Sequence, residues 1–171
     1  MADVTATFDP TNAGTELPWL PEGRIVNIRE HHHADLTTPT VVLLHGWTAS
    51  SDLQFFTAYE ALAERCSFIG IDHRGHGRGL RSPTAFTLED VADDVAAVLR
   101  HLGATNVIAI GYSMGGPIGM LLARRHPDLV AGIIAQATAL EWSGSLRERL
   151  RWRFLPVMGT FLRSRVAGRF M

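Results

Sequence analysis

Five residues, Gly111-Tyr112-Ser113-Met114-Gly115, restrict what this chain can fold into more than any other stretch. Before them runs Asn106-Val107-Ile108-Ala109-Ile110, a short β-branched apolar segment that reads as a fully buried strand. After them, residues 116–125 read as a helix ended by Pro127. A G-x-S-x-G flanked in this way is a sharp strand-to-helix turn that lifts a serine hydroxyl clear of a sheet. Gly111 and Gly115 fit a turn where strand and helix pass too close for a Cβ. Pro117 falls in the first helical turn, where a missing N–H costs little. Ser113 is thereby placed at a helix N-terminus, where free amides and the macrodipole favour negative charge. A hydroxyl set there can attack a carbonyl carbon and have the resulting oxyanion stabilised.

The rest of the chain supplies a frame for that turn. Residues 24–29 alternate apolar and polar, as a half-exposed strand would. Three adjacent histidines, His31 to His33, point in different directions and lack a carboxylate or thiol cluster, so they read as a solvated loop rather than a metal site. Residues 40–44 and 68–72 read as buried strands, running into His45-Gly46-Trp47 and into a Gly-rich loop, His73 to Gly79. Between them, Ser51 and Asp52 begin a helix with Phe55, Phe56, Tyr59, Leu62 and Ala63 on one face. The best-marked helix has Thr87 as cap, Glu89 and Asp90 in its first turn, Arg100 and His101 in its last, and Gly103 as its stop. Residues 131–137 read as a fourth buried strand. Buried strands alternating with amphipathic helices imply an α/β fold: a mostly parallel sheet with helices on both faces. His45, Asp72, Ser113 and Glu141 then fall at the carboxyl ends of strands, where such sheets carry their functional loops.

Length and composition set outer limits. At 171 residues with 46% hydrophobic side chains, one domain with a sizeable core is expected. The single cysteine, Cys66, excludes an intrachain disulfide. Residues 1–18 lack the pattern of a signal peptide, and no apolar run approaches the ~18–20 residues that span a bilayer, so a cytoplasmic location is expected. The net charge of −1 hides an asymmetry: residues 143–171 hold seven arginines against one glutamate, a local +6, leaving −7 for the remainder.

Three motifs occur in order: His45-Gly46-Trp47, Asp72-His73-Arg74-Gly75-His76-Gly77 and Gly111-Tyr112-Ser113-Met114-Gly115-Gly116. In these the chain resembles the α/β-hydrolase fold superfamily, specifically its lid-bearing serine hydrolases, over roughly residues 18–142. The resemblance implies that Ser113 is the nucleophile and that the backbone N–H groups of Met114 and Trp47 form the oxyanion hole. It further implies that His45 organises the oxyanion loop, and that the loop from Asp72 to Gly77 is structural, with Arg74 bonded internally. Its domains would be a flexible segment 1–18, an incomplete hydrolase core 19–142, and the start of a basic amphipathic lid, 143–171. No cofactor, metal or nucleic acid is implied. The partner is a small-molecule ester, thioester or lactone; the Ser at position 113 argues against the dehalogenases and epoxide hydrolases of this fold, which use Asp there.

The triad is incomplete in this reading. The chain order on this fold is Ser, then Asp or Glu, then His. Only His126 follows Ser113, at the end of the same helix, with no acid between them. Glu141 is a weak candidate for the acid, and no base is identified. The expectation is a chain cut before its acid and histidine, inactive or nearly so, with an open sheet edge that invites self-association. The competing readings are a non-catalytic pseudoenzyme or fragment and, more weakly, a membrane-surface module acting through the basic tail.

Overall fold

The computed structural model describes residues 15–16 and 25–139. The chain divides into two compact units, Met1–Thr138 and Ala139–Met171. The expected lid segment and Glu141 lie outside the described residues. The elements run β1 (Thr15–Glu16), β2 (Ile25–Val26), β3 (Ile28–His31), β4 (Thr40–Leu44), α1 (Ser51–Ala63), β5 (Ser67–Ile71), α2 (Leu88–His101), β6 (Val107–Tyr112), α3 (Gly115–Arg125) and β7 (Val130–Gln136). β1 and β2 form a small antiparallel pair, so Thr15 and Glu16 are regular where sequence reading expected none. The main sheet has the order β3-β5-β4-β6-β7, antiparallel only between β3 and β5 and parallel elsewhere. The expected mostly parallel α/β architecture is therefore present.

Alternation along the strands separates two layers. Val42, Leu44, Ile69, Ile71, Val107 and Ala109 face α2 and α3, joining Val91, Val95, Leu99, Ile118 and Leu122. Val41, Leu43 and Phe68 face the other way, onto Phe55 and Tyr59 of α1. Each fully buried aliphatic side chain contributes about 1.5–3 kcal/mol by leaving water, so the face under α2 and α3 carries most of the stability. α2 is fixed at both ends. Thr87 and Asp90 make a reciprocal capping box, and Gly103 follows the last turn at φ 67°. Among the described residues no helix is long and apolar enough to cross a membrane.

Three sequence expectations are corrected. Residues 24–29 are not one half-exposed strand: the ladder breaks at Asn27, and Asn27 and Arg29 are buried. Both find partners that alternation cannot reveal, since Asn27 donates to Asp72 (3.2 Å) and Arg29 pairs with Asp52 (2.7 Å). Phe56 does not join the buried face of α1 but is 64% exposed, because only Ser51, Phe55 and Tyr59 point squarely at the sheet. β7 is largely exposed rather than buried. It is an outer strand of the sheet among the described residues, with α3 packed on one face only.

Candidate active site

The turn between β6 and α3 is as sharp as its glycines require. A Cβ on Gly111 would run into the backbone of Gly115, and one on Gly115 would strike the Leu44 carbonyl at the end of β4. Ser113 sits at φ 51°, a left-handed conformation that strains a residue with a side chain. Backbone bonds hold it there. Its N–H donates to the Gln136 carbonyl (2.8 Å), and its carbonyl accepts from the Gly116 N–H (3.1 Å) and the Thr138 hydroxyl. Its side chain is partly exposed, and among the described residues none hydrogen bonds to its hydroxyl. Met114 follows as the N-cap of α3, without a side-chain cap and with no acid in the helix's own first turn.

A second loop passes alongside. The β4–β6 register pairs Leu44 with Gly111, which brings the loop after β4 level with the turn. A Cβ built on Gly46 would lie 3.2 Å from the Tyr112 ring and 3.4 Å from the Ser113 Cβ. Trp47, the next residue, is exposed, and Thr48 turns the chain at φ 60°. This loop is anchored from below by His45, which is fully buried. The His73 N–H donates to His45 Nε2 (3.0 Å), so that nitrogen is bare; Nδ1 therefore carries the proton and donates to the Gly46 carbonyl (2.7 Å). Burial holds the His45 pKa below the usual imidazole value, aided by nearby His76 and opposed by the Gly46 bond and the Asp72 charge. With both nitrogens engaged, this ring is a strut and does not reach towards Ser113.

The His73 ring packs tilted by 36° against His45 with ring centroids 4.1 Å apart, and the His76 ring lies 5.6 Å from the same ring. His73 is buried and, among the described residues, neither ring nitrogen is bonded; burial, then the charges of His45 and His76, push its pKa well below normal. Asp72 is committed three ways, accepting from the Ser51 N–H (2.7 Å), the Arg78 N–H (2.8 Å) and the Asn27 amide. Arg74 makes a two-pronged pair with Asp94 (2.7 and 2.6 Å). The loop from Asp72 to Gly77 is thus tied by its side chains to the residues packed around it, Asp72 to Ser51, Arg78 and Asn27 and Arg74 to Asp94. The histidines at 31–33 go their own ways: His31 to the Ala63 carbonyl, His32 to Glu30 and His33 to Asp35.

His126 caps the far end of α3, an 11-residue helix about 16 Å long that begins just after Ser113. There its Nε2–H donates to Asp93 (2.8 Å), so it takes no part at the turn. Sequence reading missed Thr138, whose hydroxyl holds the strained carbonyl of Ser113. Its only local signal was a polar residue just past a strand, and the β6–β7 register was needed to give it meaning.

A partly exposed hydroxyl on a strained turn, with the loop of Gly46 passing alongside it, forms an arrangement suited to acyl transfer. The alpha/beta hydrolase fold family model matches residues 39–164. The chain is 33% identical over 114 residues to a 2-(acetamidomethylene)succinate hydrolase of Mesorhizobium japonicum, covering 66% of this chain and 39% of that protein. Among solved structures it resembles Est816, described as an N-acyl homoserine lactone degrading enzyme (TM-score 0.66, 26% identity, 88% of this chain and 53% of that one). The epoxide hydrolase CorEH is equally similar in fold (TM-score 0.67, 27% identity, 78% and 48%). The chain therefore spans between about two fifths and half of the length of these relatives. Turn, fold and family model agree, and the chain belongs to the alpha/beta hydrolase fold family.

Proposed function

We propose that this chain carries the nucleophile and the oxyanion-binding half of a serine hydrolase acting on carboxylic esters, lactones and thioesters included. Ser113 Oγ attacks the carbonyl carbon, and the negative charge on the carbonyl oxygen is taken by the backbone N–H groups of Met114 and Trp47. Collapse of that intermediate breaks the bond to the leaving group, which departs with the serine proton and leaves acyl-Ser113. Water then adds to the acyl carbon and releases the acid. His45 acts by holding the Gly46 carbonyl, and with it the Trp47 amide, in place. The observation that carries this reading is the left-handed Ser113 beside the loop of Gly46.

Serine also discriminates among the chemistries of the relatives. Attack of an alkoxide on an epoxide would leave an ether, which water does not cleave, whereas an acyl ester of serine turns over. This favours the lactone-type chemistry of one relative over the epoxide chemistry of another. What the described residues do not offer is a general base for the Ser113 proton. His45 is engaged at both nitrogens, His73 is enclosed, and His126 is remote. That observation favours the second reading, a chain that binds but barely turns over.

The test is hydrolysis of an activated aryl ester by the purified chain and by Ser113→Ala. The expected outcome is a weak, Ser113-dependent rate, no more than about 10³–10⁴ over water, since loss of triad members costs on the order of 10⁴–10⁶. An equal rate from a folded Ser113→Ala protein would end the nucleophile assignment. Turnover near ~10 s⁻¹, typical of enzymes, would overturn the missing base.

A further inference from the structure

Among the described residues, neither the Met114 N–H nor the Trp47 N–H makes a hydrogen bond. Each amide belongs to a peptide unit whose carbonyl is doubly engaged. The Gly46 carbonyl shares its unit with the Trp47 N–H and accepts from His45 Nδ1 (2.7 Å) and the Ala49 N–H (3.4 Å). The Ser113 carbonyl shares its unit with the Met114 N–H and accepts from the Thr138 hydroxyl and the Gly116 N–H (3.1 Å). Both units therefore have the same pair of donors, one side chain and one turn amide three residues on. A trans peptide is planar, with its C=O and N–H pointing in opposite directions. Whatever fixes the carbonyl also aims the amide, and a bond that polarises the carbonyl makes that amide a stronger donor.

We propose that Thr138 is a positioning residue for the reaction at Ser113: by holding the Ser113 carbonyl, its hydroxyl aims the Met114 N–H at the developing oxyanion, as His45 aims that of Trp47. The proposal rests on the catalytic reading of the turn. Its structural basis is the way the chain after β7 grips Ser113. The β6–β7 register sets Tyr112 opposite Gln136, and the Gln136 carbonyl takes the Ser113 N–H (2.8 Å). Ala137 then turns the backbone at φ 47°. Thr138 follows into the space that Gly116 leaves by lacking a side chain, where a Cβ would lie 2.7 Å from Thr138 Cβ and 2.8 Å from its Cγ2. Gln136 and Thr138 thus hold the peptide units on either side of Ser113. Packing of the methyl against Gly116 restricts the stiff threonine rotamer, and the hydroxyl supplies a donor without adding a charge beside the oxyanion. When that hydroxyl is removed the Gly116 N–H still holds the carbonyl. The expected loss is therefore smaller than the roughly 10²–10³-fold that follows removal of an oxyanion donor itself.

The test compares p-nitrophenyl acetate hydrolysis by the 171-residue chain with that of Thr138→Val, Thr138→Ala and Thr138→Ser, folding being checked by circular dichroism. Thr138→Val keeps the shape without the hydroxyl, and Thr138→Ala removes it with nothing new to accommodate. Both should lose about tenfold in kcat with KM unchanged, as expected for an interaction made in the transition state. Thr138→Ser keeps the hydroxyl and should recover most of that rate. A second readout needs no turnover. In 15N-labelled protein the Met114 amide nitrogen should move upfield in Thr138→Val and Thr138→Ala, as its carbonyl loses a polarising donor, and return in Thr138→Ser. An unchanged kcat in the folded Val and Ala variants, while Ser113→Ala abolishes the rate, overturns the role of Thr138 and leaves the nucleophile standing. So does a loss confined to KM, a loss that Thr138→Ser does not recover, or a Met114 resonance that stays in place. A folded Ser113→Ala protein as fast as the parent ends both readings.

Discussion

Two histidine-centred clusters sit at different places in this fold and solve opposite problems. In the loops after β4 and β5, His45 and His73 are buried, in ring contact and kept neutral by that burial, with His45 bonded to backbone at both nitrogens. At the far end of α3, His126 lies among Asp93, Arg125 and Arg100, with Arg100 also paired to Asp128. The proton positions differ accordingly. His45 carries it on Nδ1 because the His73 N–H claims Nε2, whereas His126 carries it on Nε2 because Asp93 accepts there and Arg100 donates to Nδ1. The first cluster fixes a loop through short, dry bonds that water cannot replace. The second ties α2 to α3 through exposed charges that water and salt weaken. The difference teaches that shape at the turn is set by buried neutral groups, and that charge is kept where solvent can share it.

The largest effect expected is at His45. His45→Phe keeps the bulk but leaves the buried His73 N–H without its His45 acceptor and the Gly46 carbonyl with only the longer bond from the Ala49 N–H (3.4 Å), at about 1–3 kcal/mol of stability. A shift of the urea midpoint at constant m-value measures it; a change under ~1 kcal/mol would deny that the strut matters. Acid comes next. The unfolded chain takes protons on these rings near the ordinary imidazole value of about 6.5, while the fold keeps both neutral to lower pH. Stability present above that value is therefore lost as pH falls below it, by up to about 2 kcal/mol for the pair between pH 7 and 5.5. A flat melting profile over that window would break the comparison at its centre.

A smaller effect has the opposite sign. Ser113→Gly removes a side chain from a left-handed backbone and should raise stability by up to about 1 kcal/mol while abolishing ester cleavage. A lower melting temperature would mean that the turn is not strained. The least effect is expected from Asp93→Asn. Its Arg125 and His126 partners hold the Asp93 pKa down to about 2, so its contribution is present above the usual carboxylate range and fades as pH falls towards 2. The side chain is 42% exposed, which brings the loss below about 1 kcal/mol, and 1 M salt should erase most of it. The same salt should leave His45→Phe unchanged, and a salt-sensitive His45 variant would blur the two clusters into one kind.

What the chain declared locally was the set of features whose causes lie within a few residues. The cap and stop of α2, the glycines and proline around Ser113, and the apolar runs of β4, β5 and β6 each act through their own backbone or nearest neighbours. The sequence by itself thus determined a parallel α/β sheet with a serine at a strand-to-helix turn. Only tertiary structure decided the rest, because it depends on what arrives from far along the chain. Asn27 and Arg29 are buried since Asp72 and Asp52 meet them from 45 and 23 residues away. β7 is as apolar as β6 yet stays exposed, since burial is a property of the layers that cover a strand and not of the strand. Thr138 secures Ser113 only because β7 lies beside β6 in the register that brings them together. A residue's chemistry is fixed by its code, but its partner is fixed by the fold.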